Sequence, residues 1–213
     1  MTRAAGRAPG RRRVDARSNV ERITAAGRVV LGTEEGSLER IAAEAGVGIA
    51  TLYRHFPNRE AIVRAVLDDI LDSDVLPLID DAEASATPRA ALLEIAGRLL
   101  DLISEERGLV GFASDFATVA EAAIRRLSAA VHPLLVRAQE QDEVRADLTA
   151  EDIPRFLVMA VAGLGLPGTT PELRARFLTL IFDALSPTGA TPLPPLAPEG
   201  DSLHTAISGI GRR

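Results

Sequence analysis

The stretch SLERIAAEAGVGIATLYRHF, at positions 37–56, constrains the fold more than any other part of the chain. Apolar side chains recur at helical spacing in its first half, after a serine, Ser37, that can cap the N-terminus of a helix. Gly46 can end that helix, because glycine adopts the left-handed backbone conformation without strain. The apolar spacing then resumes at Ile49, Leu52 and Phe56. The stretch therefore predicts two short helices separated by a tight turn.

The second predicted helix has two faces of different chemical character. Its apolar residues Ile49, Leu52 and Phe56 fall on one side at about 100° per residue. The opposite side carries small, hydroxyl-bearing and basic residues, namely Ala50, Thr51, Arg54 and His55, with Tyr53 at the edge. A small residue permits close approach to a DNA groove, while arginine and hydroxyl groups can bind base edges or phosphates. Two helices of this kind around a glycine-containing turn describe a helix-turn-helix.

These residues resemble the DNA-binding signature of the TetR family of transcriptional regulators. The resemblance rests on Ile41-Ala42, on Ala45-Gly46-Val47 and on the run TLYRHFPNRE from Thr51 to Glu60. It is close from Val20 to Leu71, and the rest of the chain is similar only in general layout. The resemblance implies an all-α protein with an N-terminal three-helix DNA-binding domain. It also implies a C-terminal helical bundle that dimerises and binds a small effector, which releases the operator.

The resemblance also implies roles for individual residues. Thr51 and Arg54 would face bases, whereas Tyr53, His55 and Arg59 would touch phosphates. The candidate DNA-binding residues are Ser37, Gly48, Ile49, Ala50, Thr51, Tyr53, Arg54, His55 and Arg59. Two features depart from the family pattern. The connection Val30–Gly36 is short and lacks the usual phenylalanine near the end of the first helix, and Gly48 replaces a common serine that would cap the recognition helix.

Charge is distributed unevenly along the chain. The net charge is −6, but residues 1–60 carry eleven arginines against seven acidic residues, whereas residues 61–213 carry thirteen against 23. An acidic protein with a basic N-terminal part can bind DNA, because only the docking face must attract phosphates. Residues 1–17 are rich in arginine and lack periodicity, which predicts a disordered arm. This arm either adds salt-dependent contacts to DNA or remains solvated.

Ser18 and Glu21 predict a capping box at the start of the first helix, whose buried stripe would begin at Val20.

Helical patterns continue through the rest of the chain, and no alternating strand pattern occurs. Pro57 ends the recognition helix and Asn58 can cap the next one, while Pro77 and the run from Asp80 to Ala86 predict a boundary. Later helix starts are predicted at Thr87-Pro88, at Asp152 with Pro154, and at Thr170-Pro171. We expect a helix-turn-helix domain at 18–60, a regulatory and dimerisation domain at 61–186 and a Pro/Gly-rich tail at 187–213. The last two helices are long and strongly apolar, and their similarity in position to the dimerisation helices of the TetR family implies that they form a homodimer. The final stripe is Leu173, Phe177, Leu180, Ile181, Ala184 and Leu185.

Four large apolar residues of the C-terminal part have two interpretations. Phe112, Phe116, Met159 and Phe177 would form either the core of the bundle or the wall of an effector pocket, or both. His132, which precedes Pro133, would be either a partly buried residue at a helix kink or a hydrogen-bonding partner of the ligand. Aromatic residues make up only 3% of the chain. A pocket would therefore be mostly aliphatic and would suit an apolar effector.

The sequence offers no pattern for catalysis. The chain contains no cysteine, and its three histidines lie far apart without metal-ligand spacing. The glycine pattern Gly163-x-Gly165-x-x-Gly168 matches the dinucleotide-binding motif. It follows a helical segment and includes Pro167, so it indicates the end of a helix and not a dinucleotide site. We expect no metal, no cofactor and no enzymatic activity. No apolar stretch is long enough to span a membrane, and the absence of cysteine fits a cytoplasmic location.

The sequence therefore predicts a ligand-responsive transcriptional regulator. We expect a repressor that binds palindromic double-stranded DNA as a homodimer and is released by a small, largely apolar effector. The alternative is a small-molecule-binding or protein-interaction helical protein whose helix-turn-helix no longer reads DNA. An enzyme built on a helical bundle is a third possibility, and a catalytic constellation would favour it.

Overall fold

The structure is a computed structural model that describes residues 9–32, 36–82, 85–105, 109, 116–149, 152, 153, 155, 156, 159 and 169–194. The elements among them are α1 (Pro9–Leu31), α2 (Leu38–Glu44), α3 (Ile49–His55), α4 (Arg59–Ile70), a π-helical turn (Leu71–Val75), α5 (Leu76–Ala82), α6 (Pro88–Glu105), α7 (Phe116–Glu140) and α8 (Pro171–Asp183). These residues include no strand, and the prediction of an all-α fold is confirmed. The fold is an N-terminal helix-turn-helix followed by a C-terminal helical domain.

The chain forms two compact units. One consists of Met1–Val66 with Glu106–Ser114, and the other of Leu67–Glu105 with Asp115–Arg213. The boundary falls inside α4, six residues beyond the predicted domain end at position 60. An uninterrupted helix thus belongs to both units.

Apolar residues of α1, α2, α3 and α4 form the core of the first unit. Those with no solvent exposure are Ile23, Leu31, Ile41, Leu52, Ile62, Val63 and Val66. Helices α1 and α4 approach each other closely at Gly27, where an added Cβ would lie 3.1 Å from Cγ2 of Val66 and 3.2 Å from Cγ2 of Ile62. The absence of a side chain at this position thus lets α1 lie directly on α4.

Helix α1 begins earlier than the sequence predicts. It starts at Pro9, so Ser18 lies inside the helix and the predicted capping box is wrong. Residues 9–17 are helical where we expected a disordered arm. Arginine has a helix propensity close to that of alanine, so a helix anchored further along by buried residues can continue through this segment. Val20 is exposed, and the buried stripe begins at Ile23 instead.

The turn between α2 and α3 is closed by backbone hydrogen bonds that glycine makes possible. Gly46 has a φ of 61°. The N–H of Val47 donates to the carbonyl of Ala42 at 3.0 Å, and the N–H of Gly46 donates to that of Ala43 at 3.0 Å. This is the Schellman pattern of a helix C-terminus. The Arg22 guanidinium of α1 also donates hydrogen bonds to the carbonyls of Ala45 and Gly46. These hydrogen bonds attach the turn to α1.

The helical run after α4 does not end where the sequence predicts. The chain makes a π-helical turn with Leu71 and Val75 buried, and α5 then includes Pro77, Asp80 and Asp81, which we expected to mark a boundary. Proline is compatible with the first turn of a helix, where its missing N–H is not needed for an intrahelical bond. A π-helical turn within an α-helical run is rare and often lies at a functional site.

In the second unit, α6 packs against α7 and α8, and α5 packs against α6 and α7. The predicted start of α8 is confirmed, because the Thr170 hydroxyl accepts a hydrogen bond from the N–H of Leu173 at 3.3 Å. The buried face of α8 consists of Arg174, Leu178 and Phe182. The predicted stripe of Leu173, Phe177 and Leu180 is therefore not part of the core of one chain. The buried Arg174 pairs with Asp101 of α6.

Two side chains hold the first part of the Pro/Gly-rich tail. Arg145 donates to the carbonyl of Thr191 at 2.5 Å, and Asp147 accepts a hydrogen bond from the N–H of Leu193 at 2.8 Å. The Arg145 guanidinium pairs with the Asp147 carboxylate, and together with the Leu193 N–H it holds the pKa of Asp147 well below its usual range. Residues up to Leu193 are thereby attached to the loop that carries Asp147.

Substitution of Gly46 by alanine should lower the free energy of unfolding by about 1–2 kcal/mol, the cost of a left-handed conformation for a residue with a Cβ. The added Cβ would also lie only 2.9 Å from Nη2 of Arg22, which must move. Urea unfolding followed by circular dichroism measures the change.

The matched control is Gly48→Ser, because a Cβ at position 48 would meet no atom within 4 Å and the backbone there is extended. The serine hydroxyl can cap α3, so this variant should be more stable than the wild type by a few tenths of a kcal/mol. Equal stability of Gly46→Ala and the wild type would contradict the role of the turn.

Candidate nucleic-acid interface

The candidate interface is built on α3, which two buried residues anchor to the first unit. Leu52 is fully buried, and Phe56, the residue that ends α3, is nearly so. Helix α2 precedes it, with the Ser37 hydroxyl accepting a hydrogen bond from the N–H of Arg40 at 3.2 Å. The prediction that Ser37 caps α2 is confirmed, so this hydroxyl has a structural role in the helix.

The solvent-exposed face of α3 differs in part from the prediction. It consists of Ile49, Ala50, Tyr53 and Arg54. Ile49 was expected to point inward but is 39% exposed, because as the first residue of the helix it has no preceding turn to cover it. Thr51 and His55, which we expected on the outer face, are half-buried at its edge. The candidate DNA-facing surface is therefore centred on Ala50, Tyr53 and Arg54.

Positive charge lies at both ends of the segment between α3 and α4. Arg54 and His55 occupy the last turn of α3, where the helix dipole favours cationic groups. Arg59 is exposed at the start of α4, and the Asn58 side chain accepts a hydrogen bond from the N–H of Ala61 at 2.8 Å, as a predicted cap. The exposed start of a helix favours phosphate groups. Residues 53–59 thus combine a hydroxyl, guanidinium groups and a helix N-terminus, which are common phosphate-binding elements.

Gly48 precedes α3 and has no side chain to cap it. Its surroundings are open, so the missing serine leaves space next to the first turn of the recognition helix. Within that turn, the N–H of Thr51 donates a hydrogen bond to the Gly48 carbonyl at 2.8 Å. Gly48 and Ala50 together make the start of α3 sterically small, which permits a close approach to a nucleic-acid backbone.

Sequence reasoning missed Arg22. Its guanidinium binds the carbonyls that end α2, and in this arrangement it positions α3 through the turn. No pattern in the sequence could identify this role, because the acceptors are backbone atoms 23 and 24 residues away.

The predicted ligand-binding residues do not come together in the described part of the chain. Phe112 lies outside the described residues, as does the side chain of Phe116. His132 is exposed on α7, while Phe177 is 43% and Met159 70% exposed. The core interpretation therefore does not hold for Phe177 or Met159 within one chain. The assignment of these residues to a ligand site stays a prediction.

An apolar cavity of about 90 Å³ lies elsewhere in the second unit. Its walls come from α6, α7, the end of α8 and residues 148, 153 and 156, and they include Ala96, Leu99, Leu127, Val131, Leu135 and Phe182. Phe156 and Phe182 meet edge to face with ring centroids 6.4 Å apart. Every lining side chain that the structure describes is a hydrocarbon. Periodicity in a sequence identifies apolar helix faces, but it does not distinguish a filled core from a cavity.

Two further properties concern only the described residues. They contain no group of three or more histidine, aspartate or glutamate side chains placed to hold a metal ion. None of their helices is both long and apolar enough to cross a membrane.

Two protein-family models match the chain. Residues 24–66 match the model of bacterial regulatory proteins of the tetR family, and residues 87–187 match that of the SbtR-like transcriptional regulator C-terminal domain. Together they cover more than half of the chain. Among curated protein sequences, none matches.

Similar solved structures are regulators of the same kind. A TetR transcriptional regulator from Streptomyces coelicolor is 27% identical, with a TM-score of 0.61 over 80% of this chain and 99% of the other. A TetR regulatory protein from Mycobacterium vanbaalenii is 28% identical, with a TM-score of 0.56 over 82% and 98%. The regulator FadR from Bacillus subtilis, solved with stearoyl-CoA, is 14% identical and shares the fold, with a TM-score of 0.61 over 80% and 99%.

The helix-turn-helix with its exposed α3 face, the two family matches and the similar structures agree with one another. The chain belongs to the TetR family and is a DNA-binding transcriptional regulator, not an enzyme.

Proposed function

We propose that the protein is a repressor that binds a palindromic operator as a homodimer. A small, largely apolar effector binds in the second unit and releases the DNA. The observation that carries the proposal is the exposed face of α3, where Ala50, Tyr53 and Arg54 lie on a helix anchored by Leu52. We also propose a cytoplasmic location, where such a repressor would meet chromosomal DNA.

The chemistry of this face suits sequence reading in the major groove. An arginine can donate two hydrogen bonds to a guanine edge, and a tyrosine hydroxyl can bind a phosphate. Ala50 adds no bulk that would keep the helix away from the base pairs. Since the total charge of the protein is −6, attraction to DNA must come from such local groups and not from the net charge.

Replacement of Arg54 by alanine should weaken operator binding by about 1–3 kcal/mol, because a base contact in the groove is lost. Fluorescence anisotropy with DNA from the intergenic region that flanks the gene measures this, in moderate salt and with excess nonspecific competitor.

Arg98→Ala is the matched control, since Arg98 is an exposed arginine of the second unit. This variant changes the net charge by the same amount as Arg54→Ala and should bind the operator like the wild type. Weak, salt-sensitive binding that is indifferent to Arg54 would contradict sequence reading by α3 and favour the alternative of a ligand-binding or interaction protein.

An exposed apolar stripe on α8 supports the proposed homodimer. Leu173, Phe177 and Leu180 are 43%, 43% and 54% exposed and fall on one face of the helix, with Ala184 one turn further on. A contiguous apolar face on a soluble protein marks an interaction surface. A second copy with the same stripe is complementary to it under two-fold symmetry. Two such copies can present recognition helices to half-sites about 34 Å apart.

Phe177→Glu should convert the dimer to a monomer, because association would bury an unpaired carboxylate. Sedimentation velocity gives the mass directly. Thr179→Glu is the control, since Thr179 is exposed on α8 outside the apolar stripe, and this variant should remain dimeric. A dimeric Phe177→Glu protein with unchanged affinity would place the interface elsewhere.

The apolar cavity supports the proposed class of effector. Its walls offer hydrocarbon groups and no hydrogen-bonding partner among the described residues. A charged molecule that entered it would lose its hydration without compensation, whereas an apolar molecule gains contacts. The volume of about 90 Å³ suits a group of only a few carbon atoms unless the walls move.

Benzene, as a probe near its solubility limit, should raise the melting temperature by roughly 2–4 °C through binding to the native state. Benzoate, which has the same ring and a charge, should have no effect. Ala96→Leu should abolish the benzene effect, because the larger side chain fills the cavity. Stabilisation by benzoate alone, or by benzene equally in both proteins, would exclude this site.

A further inference from the structure

One arginine of α7 binds two carboxylates at the end of α4. Nη1 of Arg126 lies 3.0 Å from Oδ1 of Asp68, and Nη2 lies 2.5 Å from Oδ1 of Asp72. Asp68 belongs to the last turn of α4, whereas Asp72 belongs to the π-helical turn that follows. The two ion pairs therefore attach both sides of the α-to-π junction to α7.

The two carboxylates need a cation between them. Aspartates four residues apart on a helix lie on the same side and repel each other. The guanidinium group of arginine is planar and rigid, and its N–H groups can bind both carboxylates at the same time. The ammonium group of a lysine is less suited to binding two carboxylates at once. Without Arg126, the repulsion would act across a helical turn whose geometry is already unusual. The position of α7 and the conformation of this junction are thereby linked.

Stability alone does not explain this arrangement. The side chains of Arg126, Asp68 and Asp72 are 42%, 43% and 57% exposed. Ion pairs that are this exposed contribute little to the free energy of folding. The neighbouring Arg125 has an ordinary surface pair within α7, with Glu121 at 3.4 Å. Arg126 differs because its partners belong to another part of the helical framework.

The helix that carries Arg126 is also a wall of the apolar cavity. Leu127, the next residue, lines the cavity together with Val131 and Leu135, one and two turns further on. The opposite wall is α6, against which the π-helical turn itself packs. Because protein interiors are densely packed, a molecule that enters a small cavity pushes its walls apart. Such a displacement of α7 moves Arg126, the residue that both ion pairs share.

We propose that Arg126 is a positioning residue for regulation, which transmits the displacement of α7 by a cavity occupant to the α4 junction through Asp68 and Asp72. Helix α4 runs without interruption from this junction back to Arg59, directly after the turn that ends α3. An occupant that displaces α7 thus favours a junction conformation that is incompatible with operator binding. The inference rests on the proposed function, because its biological output is DNA affinity.

The first test needs neither DNA nor the natural effector. Ala96→Leu acts as a built-in occupant of the cavity, and benzene added to the wild type is a second, independent occupant. Amide hydrogen exchange at residues 67–76 reports the junction. Each occupant should raise exchange there by roughly threefold or more, within the usual range of coupling between sites. In the Arg126→Gln background the same occupants should leave exchange at these residues unchanged.

Arg125→Gln is the matched control, because it removes the adjacent arginine and leaves both junction pairs in place. This variant should respond to the occupants like the wild type. Arg126→Lys should recover part of the response, since an ammonium can pair with one carboxylate at a time. The proposal is overturned if neither occupant changes exchange at 67–76 in the wild type, or if Arg125→Gln and Arg126→Gln behave alike.

The second test measures operator affinity by fluorescence anisotropy. Benzene and Ala96→Leu should each weaken binding by about tenfold when Arg126 is present and by less than about twofold in Arg126→Gln, as expected for coupled sites. Benzene should still raise the melting temperature of Arg126→Gln, which shows that ligand binding survives. If no variant reads DNA, the proposed function fails, whereas the exchange experiment still decides the role of Arg126.

Discussion

The closed turn after α2 is the constraint on which the orientation of α3 depends. A helix as short as α3 is not stable by itself in water, so its orientation must come from its attachments. Those attachments are Leu52 and Phe56 on its inner side and the turn at Gly46 before it. Arg22 of α1 stabilises the same turn through hydrogen bonds to its backbone carbonyls. The exposed groups of α3 are therefore positioned by residues outside its exposed face.

Apolar residues of the second unit occur in three different environments. Among the residues that the structure describes, some fill the core between α5, α6, α7 and α8, others line an apolar cavity, and Leu173, Phe177 and Leu180 on α8 face solvent. The same helix thus presents a buried face to its own chain and an apolar face to the outside. An ion pair between Arg174 and Asp101 on the buried face connects α8 to α6, and a more exposed pair between Arg89 and Asp183 connects the same two helices. One chain by itself leaves these three apolar side chains of α8 exposed.

Local patterns predicted local structure well. The helix-turn-helix followed from glycine placement, capping residues and apolar spacing, all of which act within a few residues of one another. Features that depend on distant partners did not follow. The partners of Arg22 and Arg126, the cavity beside Leu127 and the π-helical turn require knowledge of which helices meet. Periodicity also identified apolar faces without showing what covers them, as the exposure of Ile49 and Phe177 demonstrates. The early start of α1 was missed because an arginine-rich segment has no apolar stripe of its own.

The hold of Arg145 and Asp147 on Thr191 and Leu193 has a practical consequence. The same loop contains Leu148, which is part of the cavity wall, and the Gln139 side chain donates hydrogen bonds from α7 to the carbonyls of Arg145 and Leu148. A chain trimmed after Ser186 to remove its proline-rich segment would lose one of these two supports. Such trimming, a routine step toward crystals, would therefore weaken the support of one wall of the apolar cavity.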